Sequence, residues 1–296
     1  MVKEKGPDLV LVHPGNRARI YQALGQDLSA IEPPLWAGMM ATFVRGHELS
    51  VAILDAEAED LSAEQTAERI SEINPELTAV VVYGHQPSAS TQNMTVAEEI
   101  CTAVKRRTPE HKTLMVGGHV AALPERTLRE TDATFVAGGE GPITVLELLQ
   151  AIKSGHSDYS KVRGLWYWDD QTPRSNPPAP LVQDLAREIP APSWDLLDME
   201  KYRAHNWHCF GDLERQPYAS IYTTLGCPYH CSFCCIQAPF KTGERVLGVK
   251  ENINTYRFWS PDSILAQVDL LVQEYGVRNI RISDEMFVLN NKHVHG

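Results

Sequence analysis

Short apolar runs alternate with amphipathic stretches through the first half of this 296-residue chain. Asp8–His13 is the first run and ends in the loop His13-Pro14-Gly15-Asn16. Pro33-Pro34 opens a stretch in which Trp36, Met39, Met40, Phe43 and Val44 recur at helical spacing, with Gly46 placed to end it. Leu49–Leu54 reads as a second strand, with Asp55 at its carboxyl end. Ser62-Ala-Glu-Gln65 is a capping-box pattern for the next helix, which Asn74-Pro75 closes. The unbroken apolar run Leu77–Tyr83 predicts a strand buried on both faces. A helix from about Thr91 to Arg107 and a fourth strand at Lys112–Val116 follow. Pro124–Glu130 then reads as a short helix, Thr134–Ala137 as strand five, and Ile143–Lys153 as a helix after Pro142. Five such units predict an α/β fold, a flavodoxin-like doubly wound parallel sheet. Ligands of such sheets sit outside the carboxyl ends of the strands.

The pattern changes after residue 155. Lys161–Trp168 alternates as a strand does, and Asp169-Asp-Gln-Thr-Pro173 reads as a turn. Asn176-Pro-Pro-Ala-Pro180 and Ile189-Pro-Ala-Pro192 are stiff and extended, so residues 156–216 read as a hairpin and linker. Trp166, Tyr167, Trp168, Trp194, Tyr202 and Trp207 are expected to pack that linker onto its neighbours. Further on, the apolar run Ala219–Leu225 reads as a strand. Ser260-Pro261 caps a helix whose residues Ile264, Leu265, Val268, Leu271, Val272 and Tyr275 line one face, and Gly276 ends it. Val277–Ser283 is then a strand followed by Asp284-Glu285, which completes a β–α–β unit.

Composition narrows the function. An apolar fraction of 43% suits well-buried cores, and a net charge of −11 argues against a nucleic-acid groove. The early apolar run Leu9–Val12 is too short for a signal segment or membrane span, so a reducing, cytoplasmic setting is expected, with no membrane partner. Six cysteines are too sparse for a disulfide framework.

Three of those cysteines carry the chemistry. Cys227-Pro-Tyr-His-Cys231-Ser-Phe-Cys234 follows Gly226 on a loop leaving the Ala219–Leu225 strand. Three thiolates can hold three irons of a [4Fe–4S] cube and leave the fourth open, whereas a closed electron-transfer cluster needs four. A structural zinc site is the alternative; it would need a fourth ligand such as Cys209, His208 or His230, none at zinc-finger spacing. Cys235 falls outside the spacing and reads as a spare thiol, buried or partly so; Cys101 reads as core.

This spacing resembles the signature of the radical S-adenosylmethionine (SAM) enzymes, with Phe233 matching the aromatic residue before the last cysteine. The resemblance implies that SAM chelates the open iron, and that Tyr229 and Phe233 shape its pocket. It also implies a partial (βα) barrel over residues 217–296, with Asp284 or Glu285 facing SAM. A carboxylate merely satisfied at a strand–loop junction is the alternative for that pair.

The first half has no G-x-G-x-x-G after strand one, so it does not read as a dinucleotide domain. Ser88-Ala89-Ser90 after strand three and Gly117-Gly118-His119 after strand four instead resemble the loops of cobalamin-binding domains. There a bulky ligand tail approaches glycine backbone closely. The Asp-x-His-x-x-Gly element that supplies a lower cobalt ligand is absent, and His13 is the sole histidine on that loop, more simply a solvated or locally bonded residue. Cobalamin domains fused ahead of radical SAM domains commonly lack that histidine. Residues 1–155 are therefore expected to bind cobalamin through Gly84, His85, Gln86, Pro87 and Ser88-Ala89-Ser90. Gly117, Gly118, His119 and the turn Gly138-Gly139-Glu140-Gly141 complete the expected pocket.

Taken whole, the chain resembles a cobalamin-binding radical SAM enzyme lacking its C-terminal part. A fragment ending at Gly296 is expected to lack turnover. The resemblance implies reductive cleavage of SAM to a 5′-deoxyadenosyl radical, followed by methylation of an unactivated carbon of a small-molecule substrate. An electron donor such as flavodoxin or ferredoxin is implied too. A non-methylating, ring-forming cyclase and a corrinoid-binding redox module without radical chemistry remain as alternatives.

Overall fold

The computed structural model describes residues 6–15, 17, 19, 25, 28–84, 87–155, 157–209, 214–229, 231–240 and 255–296, with Pro87, Ser88 and His208 described by backbone alone. Its centre is a seven-stranded sheet. The first five strands, β1 (Leu9–His13), β2 (Val51–Asp55), β3 (Leu77–Val82), β4 (Thr113–Gly117) and β5 (Phe135–Ala137), are parallel in the order β2-β1-β3-β4-β5. That is the flavodoxin-like order expected from the alternation. The hairpin β6 (Leu165–Asp169) and β7 (Thr172–Ser175) continues the same sheet, pairing antiparallel to β5.

The strands alternate their side chains between two cores. Val10 and Val12 join one apolar cluster with α2 (Ala63–Ile73) and α3 (Pro87–Arg107). Two short helices, α4 (Gly118–Ala122) and α5 (Pro124–Glu130), then connect β4 to β5. Leu9 and Leu11 join a second cluster on the opposite face, with α1 (Leu35–Arg45) and α6 (Pro142–Lys153). Full burial on both faces explains why β1 and β3 are almost wholly apolar, with His13 and Thr78 the polar exceptions. The Ser62–Gln65 capping box forms as predicted. Helix α3 starts at Pro87, four residues before the predicted Thr91, because proline is well placed in a first helical turn where no N–H partner is needed. Residues 87–90 are thus helix rather than loop.

A third cluster holds the second unit, beyond the one-turn linker helix α7 (Leu185–Glu188). It joins Tyr218, Ala219 and Ile221 of β8 (Tyr218–Ile221) to Leu271 of α8 (Pro261–Tyr275) and to the linker residues Trp194 and Tyr202. The run Ala219–Leu225 is not one strand: it breaks at Tyr222-Thr223, and β9 (Thr224–Leu225) pairs antiparallel with β10 (Arg257–Phe258). Strand β11 (Asn279–Ile282) pairs parallel with β8, so the predicted β–α–β unit is present. Two further expectations change here. Leu265 and Val272 of α8 are exposed rather than buried with Leu271, and Trp168 and Trp207 of the linker segment are exposed too. Among the described residues, no helix is long and apolar enough to cross a membrane.

Candidate functional site

The carboxyl ends of β3 and β4 face the second unit across a cavity of about 60 Å³. Gly84, Ser90 and Gly118 line it from the first unit, and Tyr222, Thr224, Leu225, Gly226, Ile236, Pro239, Phe240 and Glu285 from the second. Its aromatic floor is Trp36 stacked on Tyr83, ring centroids 4.1 Å apart, with Tyr222 and Phe240 against Trp36. Trp36 was legible only as helix core, and nothing in the local pattern announced Tyr222, Leu225, Ile236 or Phe240.

The glycines divide by what a methyl group would meet. At Gly118 a Cβ would sit 3.6 Å from Ser90, an ordinary contact, so this residue opens the cavity. At Gly117 it would meet the Val82 carbonyl at 2.1 Å, and at Gly84 the Ala89 side chain at 2.2 Å; these glycines serve close packing. Ser90 ties the two strand ends together, donating its hydroxyl to the Val82 carbonyl and accepting the His119 N–H at 2.9 Å. His119 turns its ring to Thr91, with Nδ1 at 3.0 Å from Oγ1, and burial pushes its pKa down. His85 and Gln86 lie outside the described residues.

None of the residues of the 138–141 turn lines this cavity. Gly138 lies against the Trp166 ring, where a Cβ would be 2.9 Å from Nε1, and Gly141 takes a φ of 116°. Gly139 is open, since a Cβ there would have the Pro239 carbonyl as its nearest neighbour, 4.0 Å away. The Glu140 carboxylate is taken up internally, by Arg257 Nη2 at 2.6 Å and the Val182 N–H at 3.0 Å.

The cysteine loop leaves β9 through Gly226, whose φ of 78° and close approach to the Thr255 carbonyl exclude a side chain. Cys227 is buried, with its backbone held by Gln237 and Thr255. Cys231 and Cys234 are exposed and bracket a turn in which the Cys234 N–H donates to the Cys231 carbonyl at 3.1 Å. Among the described residues no three Cys, His, Asp or Glu side chains converge as ligands of a single ion. The donor set is three thiols on one loop, which suits the spread corners of an iron–sulfur cube. Cys235 is exposed rather than buried, whereas Cys101 is buried and its thiol is pushed up to about 12 by burial. Tyr229 and Phe233, expected to shape a pocket, are 53% and 91% exposed. None of residues 231–234 lines the cavity.

The acidic pair separates cleanly. Asp284 accepts the N–H groups of Thr223 at 2.7 Å and Thr224 at 3.1 Å, and the Thr223 hydroxyl as well. That capture breaks the Ala219–Leu225 run into two strands. Glu285 instead stands at the cavity, the one carboxylate among its described lining residues, and partial burial followed by the Asp284 charge raises its pKa.

Residues 21–149 match the B12 binding domain family. Over 285 residues the chain is 31% identical to an uncharacterized methyltransferase of Pyrococcus horikoshii, covering 96% of this chain and 54% of that protein. It is 24% identical to the anaerobic magnesium-protoporphyrin IX monomethyl ester cyclase of Rubrivivax gelatinosus, covering 96% of this chain and 46% of the relative. These likenesses fit a B12-binding radical SAM family. It spans about half the length of these curated relatives. Solved structures share the fold of this chain. The radical SAM methyltransferase TsrM from Kitasatospora setae superposes with a TM-score of 0.65 at 19% identity, over 96% of this chain and 49% of that one. The cobalamin-dependent radical enzyme OxsB gives 0.66 at 19% identity, over 96% of this chain and 34% of that one.

Proposed function

We propose that this chain carries the corrinoid and cluster sites of a cobalamin-dependent radical SAM enzyme that methylates an unactivated carbon of a small molecule. The carrying observation is that one cavity is walled both by the B12-domain strand ends and by the residue preceding Cys227. Held against those walls, cobalamin, a [4Fe–4S] cluster and SAM would supply the one-electron and methyl-transfer chemistry, while the protein would position them and exclude water. Cys227, Cys231 and Cys234 would ligate the cluster. Gly118 and Ser90 would border the corrinoid, since Gly118, unlike Gly84 and Gly117, leaves room beside the backbone. Glu285 would receive the amino or ribose group of SAM, because Asp284 is already engaged with Thr223. Exposed thiols suit a reducing, cytoplasmic setting and a flavodoxin- or ferredoxin-type electron donor.

Iron, sulfide and hydroxocobalamin analysis of anaerobically prepared protein tests this reading. Iron and sulfide in cluster ratio, with a shifted corrinoid spectrum, are expected. Stoichiometric zinc without sulfide would end it. The cyclase relatives favour a second reading, ring formation without methyl transfer. Methyl-labelled SAM with the whole enzyme separates the two: label in the product supports methylation, and its absence supports the cyclase.

A further inference from the structure

The buried contacts behind the cavity form one chain of hydrogen bonds between the two units. It begins at Glu140 in the turn after β5, whose backbone carbonyl accepts the Tyr83 hydroxyl at 2.9 Å. The Glu140 carboxylate receives both guanidinium nitrogens of Arg257, at 2.6 and 3.2 Å. Both side chains are almost wholly buried, 4% and 6% exposed, and the guanidinium lies 5.4 Å over the Phe240 ring. Arg257 Nε donates to the Thr255 carbonyl at 3.2 Å. The Thr255 hydroxyl donates to Gln237 Oε1 at 2.7 Å and accepts the Cys227 N–H at 3.4 Å. Gln237 Nε2 donates in turn to the carbonyls of Cys227 and Tyr229.

An ion pair buried this deeply gives little net stability over an apolar replacement, and its geometric value is in fixing register. Here one partner is in the turn after β5 and the other is on the strand paired with β9, which feeds the cysteine loop. We infer that Arg257 and Glu140 are positioning residues that hold the Cys227 loop in register with the B12 domain. Order at one site is thereby transmitted to the other. The coupling to corrinoid rests on the proposed function; the mechanical link rests on the contacts alone.

The test is alkylation of the reduced, cluster-free full chain with iodoacetamide, followed peptide by peptide. Cys227 reports the loop, and Cys101, sealed in the first core, reports global opening. Glu140→Gln, a change in the other unit, is expected to speed Cys227 labelling about tenfold while Cys101 is unchanged. Thr255→Val should do the same from within the loop, and Arg257→Lys, which keeps the charge but loses the two-pronged contact, should speed Cys227 labelling by less. Saturating hydroxocobalamin should slow Cys227 labelling in the wild type and do so less in Glu140→Gln. Parallel acceleration of Cys101 and Cys227, no acceleration at all, or equal corrinoid protection in both proteins would overturn the inference. Failure of the wild type to bind hydroxocobalamin would instead sink the functional reading, and the corrinoid-free arm would still judge the link. Should Glu140→Gln not fold, Arg257→Lys against wild type makes the same comparison.

Discussion

Tyr202 donates its hydroxyl to Asp55 Oδ2 at 2.9 Å, joining the linker to the end of β2 across 147 residues of sequence. The other Asp55 oxygen faces His13 Nδ1 at 2.9 Å and accepts the Ala58 N–H at 3.1 Å. The three side chains are buried together, so His13 is neither solvated nor free on its loop. Removing the Tyr202 hydroxyl leaves a buried acceptor short of a donor. Tyr202→Phe is expected to cost about 1–3 kcal/mol, read as a lower urea midpoint at unchanged slope.

Burial alone would lower the pKa of His13, but the Asp55 charge and hydrogen bond outweigh it and raise the value above 6.5. A histidine with a raised folded pKa stabilises the fold fully below its unfolded value, and that contribution fades as pH rises through the folded value. The stability gap between wild type and His13→Gln should therefore be widest below pH 6.5 and shrink at alkaline pH. A gap that stays constant or widens with pH would contradict the pairing.

Asp284 and Glu285 are neighbours with different work. Asp284→Ala strands the N–H groups of Thr223 and Thr224 and is expected to cost about 2–4 kcal/mol in thermal or urea unfolding. Glu285→Gln should alter stability by no more than about 0.5 kcal/mol. Its effect should appear in the whole enzyme as weaker SAM binding by equilibrium dialysis. Equal losses of stability in the two variants would refute the division.

Two adjacent glycines should respond differently to the same methyl group. Gly117→Ala drives a Cβ into the Val82 carbonyl and is expected to cost about 1–3 kcal/mol. Gly118→Ala meets Ser90 at 3.6 Å and should fold normally, yet lose roughly tenfold in hydroxocobalamin affinity by narrowing the cavity. Spectrophotometric titration beside thermal unfolding separates the two effects.

The last two cysteines offer a matched control. Cys234→Ser should lose most of the bound iron and sulfide, because the proposed donor set is three thiolates with none to spare. Cys235 is also exposed and one residue away, and Cys235→Ser should retain both. Loss of iron in both would move the ligand set.

Much of the fold was legible because its signals are local. Unbroken apolar strands, the Ser62 capping box, Pro33-Pro34 before α1 and Ser260-Pro261 before α8 each fix conformation through their near neighbours. Errors arose where a distant group intervened. Asp284 reached back 61 residues to Thr223 and divided an apolar run that had no breaker of its own. Leu265 and Val272 follow helical spacing faithfully, yet periodicity records a face and not what covers it. Glycine pairs looked alike in sequence because a missing Cβ has no signature until its neighbours are placed.

From the sequence by itself came the alternation of strands and helices, the three cysteines at their spacing, and the carboxylate pair after the second unit's strand. Each depends on covalent order and short-range sterics, which the chain carries with it. Tertiary structure decided which member of each set faces the cavity: Gly118 rather than Gly117, Glu285 rather than Asp284, and Trp36 as its floor. It also turned Glu140 inward to Arg257. Those choices depend on which buried polar groups find partners across the two units, and such partners are brought together only when the chain has folded.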